Sequence, residues 1–197
     1  MILLRATLAG IALIIAACQP LQRPAPDNLY SDDHWQVSGK LALRARGEAI
    51  AGKRHQTLQF HWLQYGEDYR LKLSGALGFG QVLVASEQGQ LSLYRGGKII
   101  ASADSAEQLL QDTTGWTLPV SLLRYWATGR PAPDQPHSAL DESGQNQIPG
   151  FSQAGWVINY PGESSTGLSR PSKLRAEHPQ LRLVAAFKDW EPAPRPQ

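Results

Sequence analysis

The chain has 197 residues and a formal net charge of +2, from 19 lysines and arginines against 17 aspartates and glutamates. This length suits one domain with short flanking segments. The near balance of charge excludes the strongly basic surface of a nucleic-acid-binding protein, so no nucleic-acid partner is expected. A content of 18 glycines, 14 prolines, 6 tryptophans and 6 tyrosines favours many short strands and turns.

The first 17 residues have the pattern of a cleavable export signal. Arg5 supplies a positive charge, and residues 6–17 are uncharged and end in small side chains. As a helix this run would be about 18 Å long, well short of the roughly 30 Å hydrocarbon core of a bilayer. A membrane-spanning anchor is therefore not expected.

The segment IAAC, which ends at Cys18, resembles a lipobox. It predicts cleavage before Cys18 and attachment of a diacylglyceryl group to its thiol. Cys18 is the one cysteine of the chain, so no internal disulfide is expected after export. Gln19 follows, where an aspartate would retain a lipoprotein at the inner membrane, and this predicts the outer membrane. The alternative, a buried helix with a core cysteine, is disfavoured because prolines follow at once.

Four segments follow from these patterns. We expect a signal peptide at residues 1–17, a lipidated flexible tether at 18–34, one folded domain at 35–190 and a tail at 191–197. The tether is Pro-rich and polar, as linkers commonly are.

Apolar and polar residues alternate along most of the domain. Val37, Leu41 and Leu43, for example, alternate with polar or small neighbours. Such a pattern predicts antiparallel strands with one buried and one solvated face. The predicted strands cover residues 36–46, 58–62, 69–74, 81–86, 91–95, 98–102, 138–142, 146–151, 156–160, 173–177 and 181–188.

Two helices are predicted between the sixth and seventh strands. Asp104 and Glu107 form a capping box for the first helix. Pro119 suits the first turn of the second helix, and Gly129 its end. The apolar face of the second helix consists of Leu122, Leu123 and Trp126.

About eleven antiparallel strands in one domain must curl, because large open sheets rarely stay flat. The two helices also have apolar faces to bury. The economical arrangement is a mainly β fold, in which a strongly curved sheet carries the helices over its concave apolar side.

Motifs of enzyme sites are missing from the sequence. None of the five histidines has metal-ligand spacing, and neither a nucleophile elbow nor a phosphate-binding loop is present. His61 alternates with Phe60 and Trp62, which favours a solvent-side strand residue over a base. The interpretation is a binding or transfer protein that is not an enzyme and has no catalytic residue, metal or cofactor.

Six stretches of the domain are WQVSGKLAL, QFHWLQY, DYRLKLSGALGFG, PVSLLRYWATG, WVINY and LRLVAAFKDW. Together they resemble the LolB family of outer-membrane lipoproteins. They occur in family order between residues 35 and 190, so the resemblance spans nearly all of the mature chain. One departure is visible: the family has a helix before the first strand, whereas residues 27–34 here are short and polar, and the presence of that helix stays open.

The resemblance implies an unclosed antiparallel barrel with a helical lid, shared with the soluble periplasmic carrier LolA. The apolar cavity between sheet and lid would hold the acyl chains of client lipoproteins. The implied function is that of a monomeric receptor on the periplasmic face of the outer membrane, which accepts acylated lipoproteins from a LolA-like carrier and inserts them among the membrane lipids. The candidate cavity residues are Leu41, Leu43, Phe60, Trp62, Leu71, Leu73, Leu122, Trp126, Leu183 and Phe187.

The resemblance also implies one functional loop. The family carries an exposed leucine on a protruding hairpin loop, needed for delivery into the membrane, and Leu77 occupies that position. Leu77 and Phe79 would each gain about 1.5–3 kcal/mol on full burial in lipid. From the loop alone, folding of both side chains back onto the core remains an equal alternative. The loop is uncharged and gains backbone freedom from Gly75, Gly78 and Gly80.

Two rival functions remain at this point. A lipocalin-like lipoprotein would bind free lipids, although lipocalins run their strands consecutively and lack a helix pair in mid-chain. A structural or assembly lipoprotein would bind only proteins, and a dry, well-packed interior would favour it.

Overall fold

The computed structural model describes residues 33–46, 55–75, 80–114, 117–140, 148–162 and 170–194. The predicted signal peptide, Cys18 and nearly all of the tether lie outside these residues. The segment in which the family has its first helix also lies outside them, except for its last two residues. In the predicted membrane-insertion loop, Leu77, Gly78 and Phe79 fall outside them too, whereas Gly75 and Gly80 are described.

Eleven strands and two helices occupy the described residues, which confirms the predicted mainly β fold. All strands belong to one antiparallel sheet, in the order β6-β5-β4-β3-β2-β1-β11-β10-β9-β8-β7. The elements are β1 (His34–Ala45), β2 (His55–Tyr65), β3 (Asp68–Ser74), β4 (Val82–Glu87), β5 (Gln90–Arg95), β6 (Lys98–Ala103), α1 (Ala106–Thr114), α2 (Val120–Ala127), β7 (His137–Ala139), β8 (Phe151–Gln153), β9 (Trp156–Asn159), β10 (Lys173–His178) and β11 (Leu181–Pro192).

The first and last strands pair in the middle of the sheet, where Leu41 faces Leu58 on β2 and Ala185 on β11. The edge strands β6 and β7 are not hydrogen-bonded to each other, so the curled sheet is unclosed. The segment that contains α1 and α2 connects these two edges along the chain. This is the predicted unclosed barrel with a helical lid.

Gly39 allows the central strands to come close together. A Cβ atom at this position would overlap the carbonyl oxygen of Ala186 and lie 2.6 Å from the Phe60 ring. Glycine leaves room for that ring, which packs edge-on against Phe187 at 5.9 Å between centroids. The aromatic side chains of β1, β2 and β11 thereby form one end of the core, where Trp35 also packs on Trp62 and Trp190.

Several predicted boundaries were wrong by a few residues. Residues 146 and 147 of the predicted strand 146–151 lie outside the described residues; of the described part, residues 148–150 are irregular and Phe151 belongs to a strand. The last strand was predicted to end at residue 188 but runs to Pro192, because its final residues pair with Trp35 and Gln36. The pairing therefore extends past the predicted domain limits at both His34 and Pro192.

The helix ends also differ in detail from the prediction. Ser105, not Asp104, caps α1, because its hydroxyl accepts a hydrogen bond from the backbone N–H of Gln108 at 3.2 Å. Pro119 precedes α2 instead of occupying its first turn. Gly129 does follow the end of α2, with a φ of +89° that favours glycine.

Gln153 fastens the lid to the short strands, and no motif in the sequence indicated this. Its buried side-chain amide accepts hydrogen bonds from the Trp126 indole and the Ala132 N–H, both at 2.9 Å. It donates to the carbonyl oxygens of Ala132 at 2.8 Å and Gln135 at 3.0 Å. All four hydrogen-bonding positions of the amide are used, so α2 and the following loop are held against β8.

We predict that Gln153→Leu lowers the free energy of unfolding by about 3 kcal/mol or more, because each buried group left unpaired costs about 1–3 kcal/mol. Urea unfolding followed by tryptophan fluorescence measures the change. Gln90→Leu, at an exposed strand position, is the matched control and should change stability little. Equal effects of the two substitutions would contradict this role of Gln153.

Candidate functional site

A hollow lies between the concave side of the sheet and the two helices. Its larger part has a volume of about 240 Å³ and walls that are almost wholly aliphatic. Protein interiors normally pack to crystal-like density, and an empty apolar cavity of this size costs several kcal/mol of stability. The walls are formed by Leu41, Leu43, Leu58, Leu71, Leu73, Val82, Val84 and Leu93 from the sheet, and by Ala106, Leu109, Leu110, Leu118, Val120 and Leu123 from the lid.

A smaller cavity of about 50 Å³ continues the hollow beneath α2. The two cavities share the walls made by Leu41, Leu71, Leu73 and Leu123. The hollow therefore extends from β5 and α1 toward the aromatic part of the core. The remaining walls of the smaller cavity are Phe60, Trp62, Ala127, Leu174, Leu183, Ala185 and Phe187.

The structure brings eight of the ten candidate cavity residues to this hollow. Four of them line the larger cavity: Leu41, Leu43, Leu71 and Leu73. The smaller cavity adds the other four, which are Phe60, Trp62, Leu183 and Phe187.

Leu122 and Trp126 are buried but line neither of these two cavities. Both lie on a stripe of α2 that turns away from the hollow, since residues four apart share one helix face. Trp126 packs on Trp156, at 6.1 Å between ring centroids, and donates to Gln153. The hollow receives Val120, Leu123 and Ala127 of α2 instead. Because α2 is apolar on two faces, its sequence did not show which face meets the hollow.

Other wall residues were predicted in strands but not assigned to the cavity. Leu58 alternates with Phe60, and Leu93 lies within a predicted strand, so the period-2 pattern already carried the signal for both. Leu109 and Leu110 of α1 also form part of the cavity wall. Their position depends on the path of the chain between the two sheet edges, and the alternation of apolar and polar residues in the strands does not predict that path.

The hollow meets solvent at one end of the sheet. Two of its wall residues, Gly80 and Arg95, are exposed to solvent. Arg95 and Gln56 are the polar side chains in the walls. Gly80 has a φ of +71°, which favours glycine, and it ends the connection between β3 and β4. Gly75, at the start of the same connection, is half-buried. The predicted insertion loop is therefore attached at the mouth of the hollow.

Glu107 joins the two helices of the lid. Pro119 precedes α2 and provides no side-chain hydrogen bond to cap it. The Glu107 carboxylate instead accepts hydrogen bonds from the backbone N–H of Ser121 at 2.9 Å and from the Ser121 hydroxyl at 2.8 Å. Burial would raise the pKa of the Glu107 carboxyl, but the hydrogen bonds from Ser121 and Ser105 outweigh burial and lower it. A negative charge at this helix start is also favoured by the helix dipole.

Arg124 attaches the lid to the turn between β2 and β3. Its guanidinium donates to the Glu67 carboxylate at 2.8 Å and to the Gly66 carbonyl oxygen at 3.2 Å. It also donates to the Tyr125 hydroxyl at 2.7 Å. These contacts lie at the end of the sheet opposite Gly80 and Arg95, so polar groups fasten one end of the lid.

The described residues contain no group of three or more His, Cys, Asp or Glu side chains that could hold a metal ion. Within the same part of the chain, neither helix has the length and apolar character needed to span a membrane. His61, which was considered as a base, is exposed on β2, as its position in the alternation predicted. The walls of the hollow are almost wholly aliphatic, so it offers a ligand mainly apolar contacts.

Comparison with known proteins gives a consistent result. The family described as "Outer membrane lipoprotein LolB" matches residues 33–190. An outer-membrane lipoprotein LolB of Cellvibrio japonicus is 35% identical, over 95% of each chain. Those of Nitrosococcus oceani and Halorhodospira halophila are 34% and 33% identical, over 91% and 93% of this chain and 92% and 93% of theirs.

A solved structure supports the fold. The crystal structure of a LolA superfamily protein from Nitrosomonas europaea superposes with a TM-score of 0.51, over 85% of this chain and 89% of that one, at 12% identity. This superposition shows that the two chains share a fold. The family match over residues 33–190 and the sequence identities of 33–35% over most of the chain show that the chain belongs to the LolB family of outer-membrane lipoproteins.

Proposed function

We propose that this protein is an outer-membrane lipoprotein that accepts acylated lipoproteins from a periplasmic carrier and inserts them into the outer membrane. The observation that carries the proposal is the aliphatic hollow of about 240 Å³ between sheet and lid. Membership of the LolB family supports the same function.

The energetics of acyl chains explain why such a hollow is needed. Each CH₂ group moved from apolar surroundings into water costs about 0.8 kcal/mol, so a long chain costs on the order of 10 kcal/mol. A client with several chains cannot cross the periplasm freely. Passing it from one apolar cavity to another exposes little apolar surface and needs no nucleotide. A modest difference in cavity affinity, followed by the much larger gain in the bilayer, gives the transfer its direction.

The size of the hollow implies that the lid moves during acceptance. Sites that enclose small ligands usually have about 300–1,000 Å³. The present volume is smaller than that, so a client with more than one chain requires a larger opening. The helix α1 contacts β5, β6 and α2. Residues of α1 also form part of the wall of the larger cavity. Displacement of α1 away from β5 and β6 would therefore widen this cavity.

We further propose the arrangement at the membrane. Cys18 carries the lipid anchor after removal of residues 1–17, and residues 18–34 connect it to the domain on the periplasmic face. The protein acts as a monomer without catalytic chemistry. The lipocalin-like alternative is not favoured, because the segment with both helices joins the two edge strands of this sheet.

The proposed acyl site is tested by filling the hollow. Leu73 lines both cavities, whereas the preceding residue, Lys72, is exposed on the other face of β3. We predict that Leu73→Trp lowers acceptance of an acylated client from its carrier by about tenfold or more, equivalent to about 1.4 kcal/mol. Lys72→Trp, the matched control, should accept clients normally. Pull-down of client after mixing with the loaded carrier, without ATP, measures acceptance.

The same assay with a client that lacks its acyl chains provides the second arm. That client should not move to the wild-type protein. Equal transfer of acylated and unacylated clients would contradict the proposal and favour an interface between proteins. Circular dichroism must show that Leu73→Trp is folded, since overpacking costs about 1–3 kcal/mol.

Leu77 is proposed to act after acceptance, during delivery to the bilayer. We predict that Leu77→Glu still accepts a client but fails to release it to liposomes, because a carboxylate pressed toward lipid loses the apolar gain and adds a desolvation cost. Phe79→Glu should act in the same direction and more weakly. Sedimentation with liposomes after client loading separates the two steps.

Gln81→Glu is the control for Leu77→Glu, since it adds the same charge at an exposed residue after the loop. It should deliver clients normally. A fall of many degrees in the melting temperature of Leu77→Glu would show instead that Leu77 is a core residue.

A further inference from the structure

The hairpin of β5 and β6 exposes two adjacent isoleucines at an edge of the sheet. Ile99 is 59% exposed and Ile100 is 47% exposed. Among the described residues, Val157, at 41%, is the only other large hydrophobic side chain with comparable exposure. An apolar pair of this kind in water indicates a surface that is covered by something else.

A β-bulge produces this exposure. Tyr94 pairs with Ile99 and Leu93 pairs with Ala101, which leaves Ile100 as the extra residue on the edge strand. In a regular strand, adjacent side chains point to opposite faces and one isoleucine would turn inward. A bulge on an edge strand also hinders the addition of another strand. The surface is therefore poorly suited to pairing with a β-strand of a partner protein.

Two basic side chains lie at the turn that precedes the isoleucines. Arg95 and Lys98 stand on either side of the tight turn between β5 and β6, and both are exposed. Neither takes part in the ion pairs found among the described residues. An apolar pair beside free cationic groups matches the composition of protein surfaces that bind anionic lipid membranes.

The register places this hairpin at the mouth of the hollow. Arg95 pairs with Val82 at the start of β4, and it also lines the larger cavity. Gly80, which ends the connection between β3 and β4, lines the same opening. A membrane that contacts the hairpin would therefore face the opening from which acyl chains leave.

Charge differs between the two ends of the sheet. The strand ends on the side of the hairpin include the exposed Arg44 as well as Arg95 and Lys98. The acidic Glu177 on this side is paired with Arg46 at 3.0 Å and Arg182 at 2.7 Å. The opposite end carries acidic residues: Glu67 and Glu87 are paired with Arg124 and Arg70, each at 2.8 Å, and Asp68 and Asp104 add further negative charge. Such a separation of charge orients a protein toward an anionic surface.

We propose that Arg95, Lys98, Ile99 and Ile100 form a membrane-contact surface, in which the cations bind anionic phospholipid headgroups and the isoleucines enter the interface. This surface holds the cavity mouth against the bilayer during delivery. The proposal deepens the proposed function and rests on it for its biological purpose. Vesicle binding can nevertheless be measured without any client.

The test uses the mature chain with Cys18→Ala, so that no lipid anchor dominates binding. All described strands and helices lie after residue 33 and are kept in this variant. We predict that it sediments with vesicles containing phosphatidylglycerol much more than with phosphatidylcholine vesicles, and that salt weakens this binding. Lys98→Glu should weaken it at least about fivefold, the effect expected for one basic residue near an anionic surface. Ile99→Ser combined with Ile100→Ser should also weaken it.

Lys173→Glu is the matched control, because Lys173 is exposed at the start of β10, seven strands away from β6 in the sheet order, and gives the same change in net charge. Its vesicle binding should equal that of the parent. Equal losses for Lys98→Glu and Lys173→Glu, or no preference for anionic vesicles, would overturn the proposal. Lowered acceptance from the carrier with unchanged vesicle binding would overturn it too, and would assign the surface to the carrier. Failure of acyl-dependent acceptance with intact vesicle binding would instead count against the proposed function alone.

Discussion

The edges of this sheet are joined by two helices and not by hydrogen bonds, and the rest of the structure depends on that arrangement. If β6 and β7 paired, the barrel would close around its own side chains. Because α1 and α2 connect the edges instead, aliphatic residues of five strands face a lid that only partly fills the space between them. Gln153 and Arg124 hold the lid in place by polar contacts. Neither side chain lines the hollow, so these attachments add no polar group to its walls.

This arrangement suits a protein that must bind acyl chains and later release them. A fully packed core would give more stability but no room for a ligand. The Arg124 attachment of the lid lies at one end of the sheet, and the opening marked by Gly80 and Arg95 lies at the other. The predicted insertion loop and the membrane-contact surface are both attached at the open end. Acceptance and delivery can then use one hollow, with the bilayer as the final apolar environment.

The strands could be predicted from the sequence because period-2 alternation is a local signal, and it placed residues such as Leu41, Leu71 and Leu183 on the correct face. The lid was less predictable. Leu122 and Trp126 belong to an apolar stripe of α2 that packs on the short strands, and only the tertiary contacts of Trp126 with Gln153 and Trp156 show this. Ser105 caps α1 in place of Asp104. Serine and aspartate are both favoured at the N-cap, so N-cap propensity does not distinguish these two adjacent residues.

The central claim, that the hollow binds acyl chains, is tested most directly by photo-crosslinking. A client lipoprotein with a photoreactive group at the end of one acyl chain is transferred to the protein, irradiated, and digested for mass spectrometry. The account predicts crosslinks to wall residues of β1, β3 and α2, above all Leu41, Leu71, Leu73 and Leu123, which line both cavities. Crosslinks confined to exposed residues of the outer face, such as Lys72, would contradict it.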